Sequence, residues 1–165
     1  MRHAFIVSVA LIFASGWSDP ALAQGSNPSI VGVWKLTSFL RKEVGSDKSV
    51  QAFGDDPGGY RIHTKGGHVF YMFVDRNRKA PAGAVTDVDR IELFKTMTAA
   101  GGTYEITGDK LVFRAEVASN QSMAGRTLTY HYQIAGKTLT MTTDPVKSAT
   151  GGPEVFFVTT YERAE

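Results

Sequence analysis

From residue 60 to residue 163 the sequence is cut into short segments by glycine-bearing turns, and within most of them apolar and polar residues alternate. A period of 2 marks a strand with one dry face and one wet face. The segments run 60–64, 68–74, 103–107, 110–118, 126–134, 137–143 and 154–163. Lys65-Gly66-Gly67, Thr107-Gly108-Asp109-Lys110 and Ala135-Gly136-Lys137 separate neighbours closely enough to be hairpin turns, with glycine supplying positive φ. An earlier segment, 30–44, places Trp34, Leu36, Ser38 and Leu40 on one face and Lys35, Thr37 and Arg41 on the other, with Phe39 as the exception. That makes eight strands. Successive antiparallel strands at this spacing suggest a mainly-β, eight-stranded up-and-down barrel, whose closure removes every exposed edge. A two-sheet sandwich is the alternative from the same pattern.

Two stretches break the rhythm. Residues 45–59, with Pro57 and flanking glycines, read as a long loop. Residues 86–100 read as one helix between the third and fourth strands: Thr86 can cap it, Asp87 and Asp89 suit its positive end, and Gly101-Gly102 suits its stop. The strand at 68–74, His-Val-Phe-Tyr-Met-Phe-Val, is apolar on both faces and so calls for a cover. The helix is the expected one.

At the N-terminus Arg2 and His3 precede an apolar run over 4–14, and Ala21-Leu22-Ala23 follows. This is the layout of a secretory signal cleaved after Ala23, too short for a membrane anchor, which needs about 20 apolar residues. Residues 24–29 form a short polar leader and 30–165 the domain. Losing the signal removes one base and one acid, so the net charge stays at +2. That balance, with no cluster of Lys and Arg, points to neither nucleic acid nor an anionic membrane. The chain has no cysteine. In a compartment that permits disulfides the fold then rests on its core alone, and thiolate metal sites, cysteine nucleophiles and a lipid-modified cysteine are excluded. The expected location is the periplasm or the outside of the cell.

Several segments together resemble the bacterial lipocalin-like domain family, relatives of the lipocalins within the calycins. Gly32-Val33-Trp34-Lys35-Leu36 resembles its Gly-x-Trp-x-Leu opening, and Phe53-Gly54-Asp55-Asp56-Pro57-Gly58-Gly59-Tyr60 its Phe-Gly-x-x-Pro-x-Gly-Tyr segment. Thr64-Lys65-Gly66-Gly67-His68 is similar to the hairpin that follows. Gly102-Thr103-Tyr104-Glu105-Ile106 is similar to its Gly-x-Tyr-x-Val strand, and Tyr161-Glu162-Arg163 to its aromatic-x-Arg ending. The resemblance implies an eight-stranded barrel in which Trp34 plugs the closed end beside Gly32 and Arg163 lies across its ring. One departure stands out. Where family members commonly carry a histidine, the stretch Lys110–Asn120 holds Arg114 and Glu116, so chemistry assigned to that histidine does not transfer.

Carrying the alternation on from Trp34 turns Leu36, Leu40, Tyr60, Ile62, Phe70, Met72, Tyr104, Ile106, Leu111, Phe113, Leu128, Tyr130, Tyr132, Leu139, Met141, Phe157 and Tyr161 inward. An eight-stranded barrel is filled by such side chains or admits one small ligand. Apolar bulk with a few phenols suits a small, mostly apolar or aromatic molecule. The expected ligand-binding cup is Leu40, Tyr60, Ile62, Phe70, Met72, Tyr104, Phe113, Tyr130, Tyr132 and Met141. His63 and His131 fall on the outer face, and His68 lies at a rim. No metal site, cofactor site or catalytic motif is read from these residues. An isomerase- or cyclase-type enzyme using the same cup, and a protein-interaction module acting through the long loops with no partner named, are the alternatives to a binding protein.

Overall fold

The computed structural model describes residues 29–147 and 151–165; the expected export signal and residues 24–28 of the leader lie outside the described residues. Among the described residues nine strands form in chain order: β1 (Gly32–Glu43), β2 (Ser49–Gln51), β3 (Pro57–His63), β4 (His68–Asp75), β5 (Met97–Thr107), β6 (Lys110–Ala118), β7 (Thr127–Ala135), β8 (Thr138–Thr143) and β9 (Val155–Arg163). One helix, α1 (Asp87–Lys95), follows β4, and a single 3₁₀ turn (Gln121–Met123) follows β6.

From β3 onward each strand pairs antiparallel with the next, β3 pairs with the first half of β1, and β9 pairs with β1 along most of its length. Eight strands therefore close into a barrel, which excludes the sandwich. The ninth, β2, lies beside the second half of β1, with Leu40 opposite Gln51 and Lys42 opposite Ser49. It forms inside the stretch expected to be a loop, because β3 has left β1 by that point and the ladder there is open to any extended segment. With β2 added, the helix follows the fourth strand rather than lying between the third and the fourth.

The helix is also shorter than expected and lies against the sheet mainly at β5. Thr86 caps it, accepting at Oγ1 from the Asp89 N–H while the Asp89 carboxylate accepts from the Thr86 N–H at 2.8 Å. This is a capping box. It ends at Thr96, whose hydroxyl turns back to the carbonyls of Glu92 and Leu93, and Met97 to Thr103 pair with β4 instead. Ladder pairing against an existing strand prevails over the helix propensity of Met97, Thr98, Ala99 and Ala100. No residue of α1 is buried. Among the described residues no helix is long and apolar enough to cross a membrane.

Residues directly opposite one another across an antiparallel pair share a face, so the pairing of Trp34 with Arg61 sends Arg61 inward. Arg61 pairs in turn with Tyr71. The inner face of β3 and β4 is thus Arg61, His63, Val69, Tyr71 and Phe73, all buried. Tyr60, Ile62, Phe70 and Met72, expected inside, stand on the outer wall, whereas Ile106 shares the face of the buried Leu111 opposite it and is exposed near the end of β5. The expectation put polar residues in water. The structure buries an arginine and a histidine, and the apolar alternates go outward, where Tyr60 meets Met72 and Ile62 meets Phe70 across the ladder. Phe70 also lies over Gly101, whose missing Cβ would come 3.0 Å from its ring. His63 is corrected with them: it is buried, not on the surface.

Leu40 is a second correction with a separate cause. A bulge between Leu36 and Ser38 inserts one extra residue in β1, and every side chain after it changes face. Phe39, opposite the buried Thr159, now points inward, and Leu40, opposite Val158, does not.

Candidate functional site

The barrel is solid at one end. Trp34 is fully buried there, its Nε1 donating to the Ile30 carbonyl at 2.7 Å. The guanidinium carbon of Arg163 lies 4.1 Å from the centroid of the Trp34 ring, and Nη1 donates to the Val31 carbonyl at 3.1 Å, with Nη2 donating to Ser29. Gly32 has φ of +138° and sits so close that a Cβ would meet the Glu165 carbonyl oxygen at 2.5 Å and Nη1 of Arg163 at 2.9 Å. Above this plug Leu36, Leu111, Phe113, Leu139 and Met141 form a dry layer, and Tyr104 donates from its hydroxyl to the Thr64 carbonyl at 2.8 Å.

The other end is hollow. A cavity of about 310 Å³ opens there, walled by the rings of Phe39, Phe53, Tyr71, Phe73, Phe157 and Tyr161 and by Tyr130, with Leu128 and Met123. Thr98, Thr143 and Thr159 add hydroxyls. The volume equals roughly ten waters of bulk liquid. Ala52, Arg126 and Lys147, all exposed, stand at its rim.

Arg61 occupies the inner end and is 1 % exposed. Its Nε donates to Nε2 of His63 at 2.9 Å. Its guanidinium carbon lies 4.9 Å from the ring centre of Tyr130, 5.2 Å from Tyr71 and 5.8 Å from Phe113. Such ring faces each attract a cation by about 0.5–2 kcal/mol, but a face is not a hydrogen-bond acceptor in the plane of the fork. Among the described residues nothing accepts from Nη2 of Arg61, and the Tyr161 hydroxyl is likewise without a hydrogen-bond partner, though both Arg61 and Thr159 lie near it. No Asp or Glu lines the cavity among the described residues, whereas Arg61, Arg126 and Lys147 do.

Burial works against the charge on Arg61, but the phenols of Tyr161, Tyr130 and Tyr71 outweigh it and its pKa rises above the ordinary arginine value. The guanidinium is ionised. His63 goes the other way: burial first, and the Arg61 charge second, hold it down to about 2. It is a neutral imidazole, and since Nε2 accepts, the proton sits on Nδ1, which has no partner. Burial raises the phenols of Tyr71 and Tyr161, so both remain neutral hydroxyls.

Of the expected cup residues, Tyr130 lines the cavity. Phe113 and Met141 are fully buried beneath it, Tyr104 lies at the closed end, and Tyr132 packs partly buried against the core. Leu40, Tyr60, Ile62, Phe70 and Met72 do not face it. Sequence reasoning missed Arg61, Tyr71, Phe73 and Thr159. Phe39 carried a signal, as the one residue that broke the alternation of β1. Arg114, Glu116 and His68 are exposed, and His131 lies on the outer wall with Nε2 3.1 Å from Asp144.

Comparison with known proteins gives two findings and one absence. Two crystal structures of the fluorescent protein UnaG, a glutamine and an alanine variant of one asparagine, align with 17% and 19% identity over 82% of this chain and 96% of theirs, each with a TM-score of 0.35. No curated protein matches. The profile of the lipocalin-like domain matches residues 31–164, and since that is nearly the whole described chain, the protein belongs to the lipocalin-like domain family.

Proposed function

We propose that the protein is exported to the periplasm or beyond and carries one small, mostly apolar or aromatic molecule in the open half of its barrel. The observation that carries the reading is the cavity of about 310 Å³ with a wall of aromatic rings. Small-molecule sites are concave, mainly apolar and supplied with a few polar groups. Burying roughly 300 Å² of apolar guest at about 25 cal/mol/Å² yields on the order of 7 kcal/mol. Association removes about 4 kcal/mol or more of that, so an apolar guest with no polar anchor binds weakly. Export rests on the basic, apolar and small-residue pattern before residue 24.

Displacement of a neutral solvatochromic dye such as Nile red from the purified chain, with native mass spectrometry across a panel of lipids and aromatics, tests the binding. A one-to-one complex is the expected result, and no binding throughout the panel overturns it. For export, the N-terminal sequence of the protein recovered from its host should begin at Gln24; one beginning at Met1 rejects it.

A further inference from the structure

We propose that Arg61 is the anchor for a carboxylate head on the guest, so that the cup selects small amphipathic monoanions; this rests on the binding reading above and deepens it. The guanidinium is a planar fork whose donors match the two oxygens of a carboxylate. One donor, Nε, is taken by His63. Another, Nη2, is buried without a hydrogen-bond partner on a residue that lines the inner end of the cavity, and Tyr161, which lines the same cavity near Arg61, has a hydroxyl that is likewise without a partner.

Charge balance points the same way. A buried cation is costly unless an anion and hydrogen bonds compensate it. The lumen offers Arg61 three aromatic faces and a neutral imidazole, and no carboxylate of the protein lines the cavity among the described residues. Arg126 and Lys147 at the rim carry the same sign and draw anions toward the mouth. A single buried positive charge balances a monoanion. A phosphate monoester brings a second charge that the inner end has no cation to meet, and the small volume suits one ring system or a short chain behind the head.

The test uses three probes of one shape: 1-naphthaleneacetic acid, its neutral primary amide, and 1-naphthyl phosphate, each titrated calorimetrically into the mature chain at pH 7.5. The acid should bind about tenfold or more tighter than the amide, the worth of one charge-assisted hydrogen bond, and the phosphate more weakly than the acid. Arg61→Met should abolish the preference for the acid over the amide. Tyr161→Phe should narrow the same preference, and it carries the test if Arg61→Met does not fold. Equal binding of acid and amide by the wild type overturns the anchor and leaves the cup intact. Tighter binding of the phosphate overturns the choice of head group. No binding of any probe, with Nile red also excluded, removes the cup and this inference with it.

Discussion

Arg61 and His63 stand two residues apart on β3, and the arginine Nε donates to the histidine Nε2 at 2.9 Å in the barrel interior. That contact requires a neutral imidazole. The His63 pKa falls from its ordinary value near 6.5 to about 2 because of burial and then the Arg61 charge, so between these values the unfolded chain binds a proton that the folded chain refuses. Stability from this residue is complete above pH 6.5 and is lost as pH falls below it, at up to about 1.4 kcal/mol per pH unit. Urea unfolding at pH 7.5 and 4.5 should show the wild type losing about 2–3 kcal/mol more than His63→Gln, which keeps an acceptor for Arg61 and cannot titrate. Equal losses would mean that His63 protonates in place.

At the closed end, Arg163 combines the Trp34 ring face with the carbonyls of Val31 and Ser29. Arg163→Met should cost about 2–4 kcal/mol in urea unfolding, the sum of one cation–π contact and charged hydrogen bonds. Arg163→Lys should recover only part, since an ammonium cannot stack and fork at once. The affinity for a cup ligand should not move in either variant, because the plug and the cavity lie at opposite ends. A change in affinity without a change in stability would contradict the division of the barrel.

The neighbouring rings of β4 test which face is inside. Phe73 is 2 % exposed and Phe70 is 50 % exposed. Phe73→Ala should therefore cost about 3–5 kcal/mol and Phe70→Ala no more than about 1 kcal/mol. Thermal denaturation of the two variants side by side decides it, and a reversal would restore the phase expected from the sequence.

That phase error shows how far the residues could be read. The barrel and its turns were visible because period-2 alternation and glycine placement are local signals, and the Trp34–Arg163 plug was implied by the resemblance of the opening and closing segments to the family. The facing of β3 and β4 was not, since β4 is apolar on both sides and the polar residues of β3 are the ones buried. Arg61 is inside because of its partners, Trp34 on one side and Tyr71 on the other, and pairing across the sheet is not written in either strand alone. In β1 the bulge after Leu36 reversed Leu40 and Phe39 by a single inserted residue. The cavity was legible as a class of site, while its anchor required the closed sheet.

Thr98 offers a way to separate the cavity from the apolar outer wall. It lies near the start of β5 opposite Phe73, half-buried, and lines the cavity. Thr98→Trp places a large ring into open space at a strand position that favours aromatic residues, so stability should change by no more than about 1 kcal/mol. The ring would take up room that a guest needs, and Nile red affinity should fall about tenfold or more, equivalent to about 1.4 kcal/mol. Unchanged dye binding in a folded Thr98→Trp protein would move the binding surface to the outer wall around Phe70 and Met72. A double variant, Phe70→Thr with Met72→Thr, should then lose the dye, whereas binding in the cup predicts that it keeps wild-type affinity.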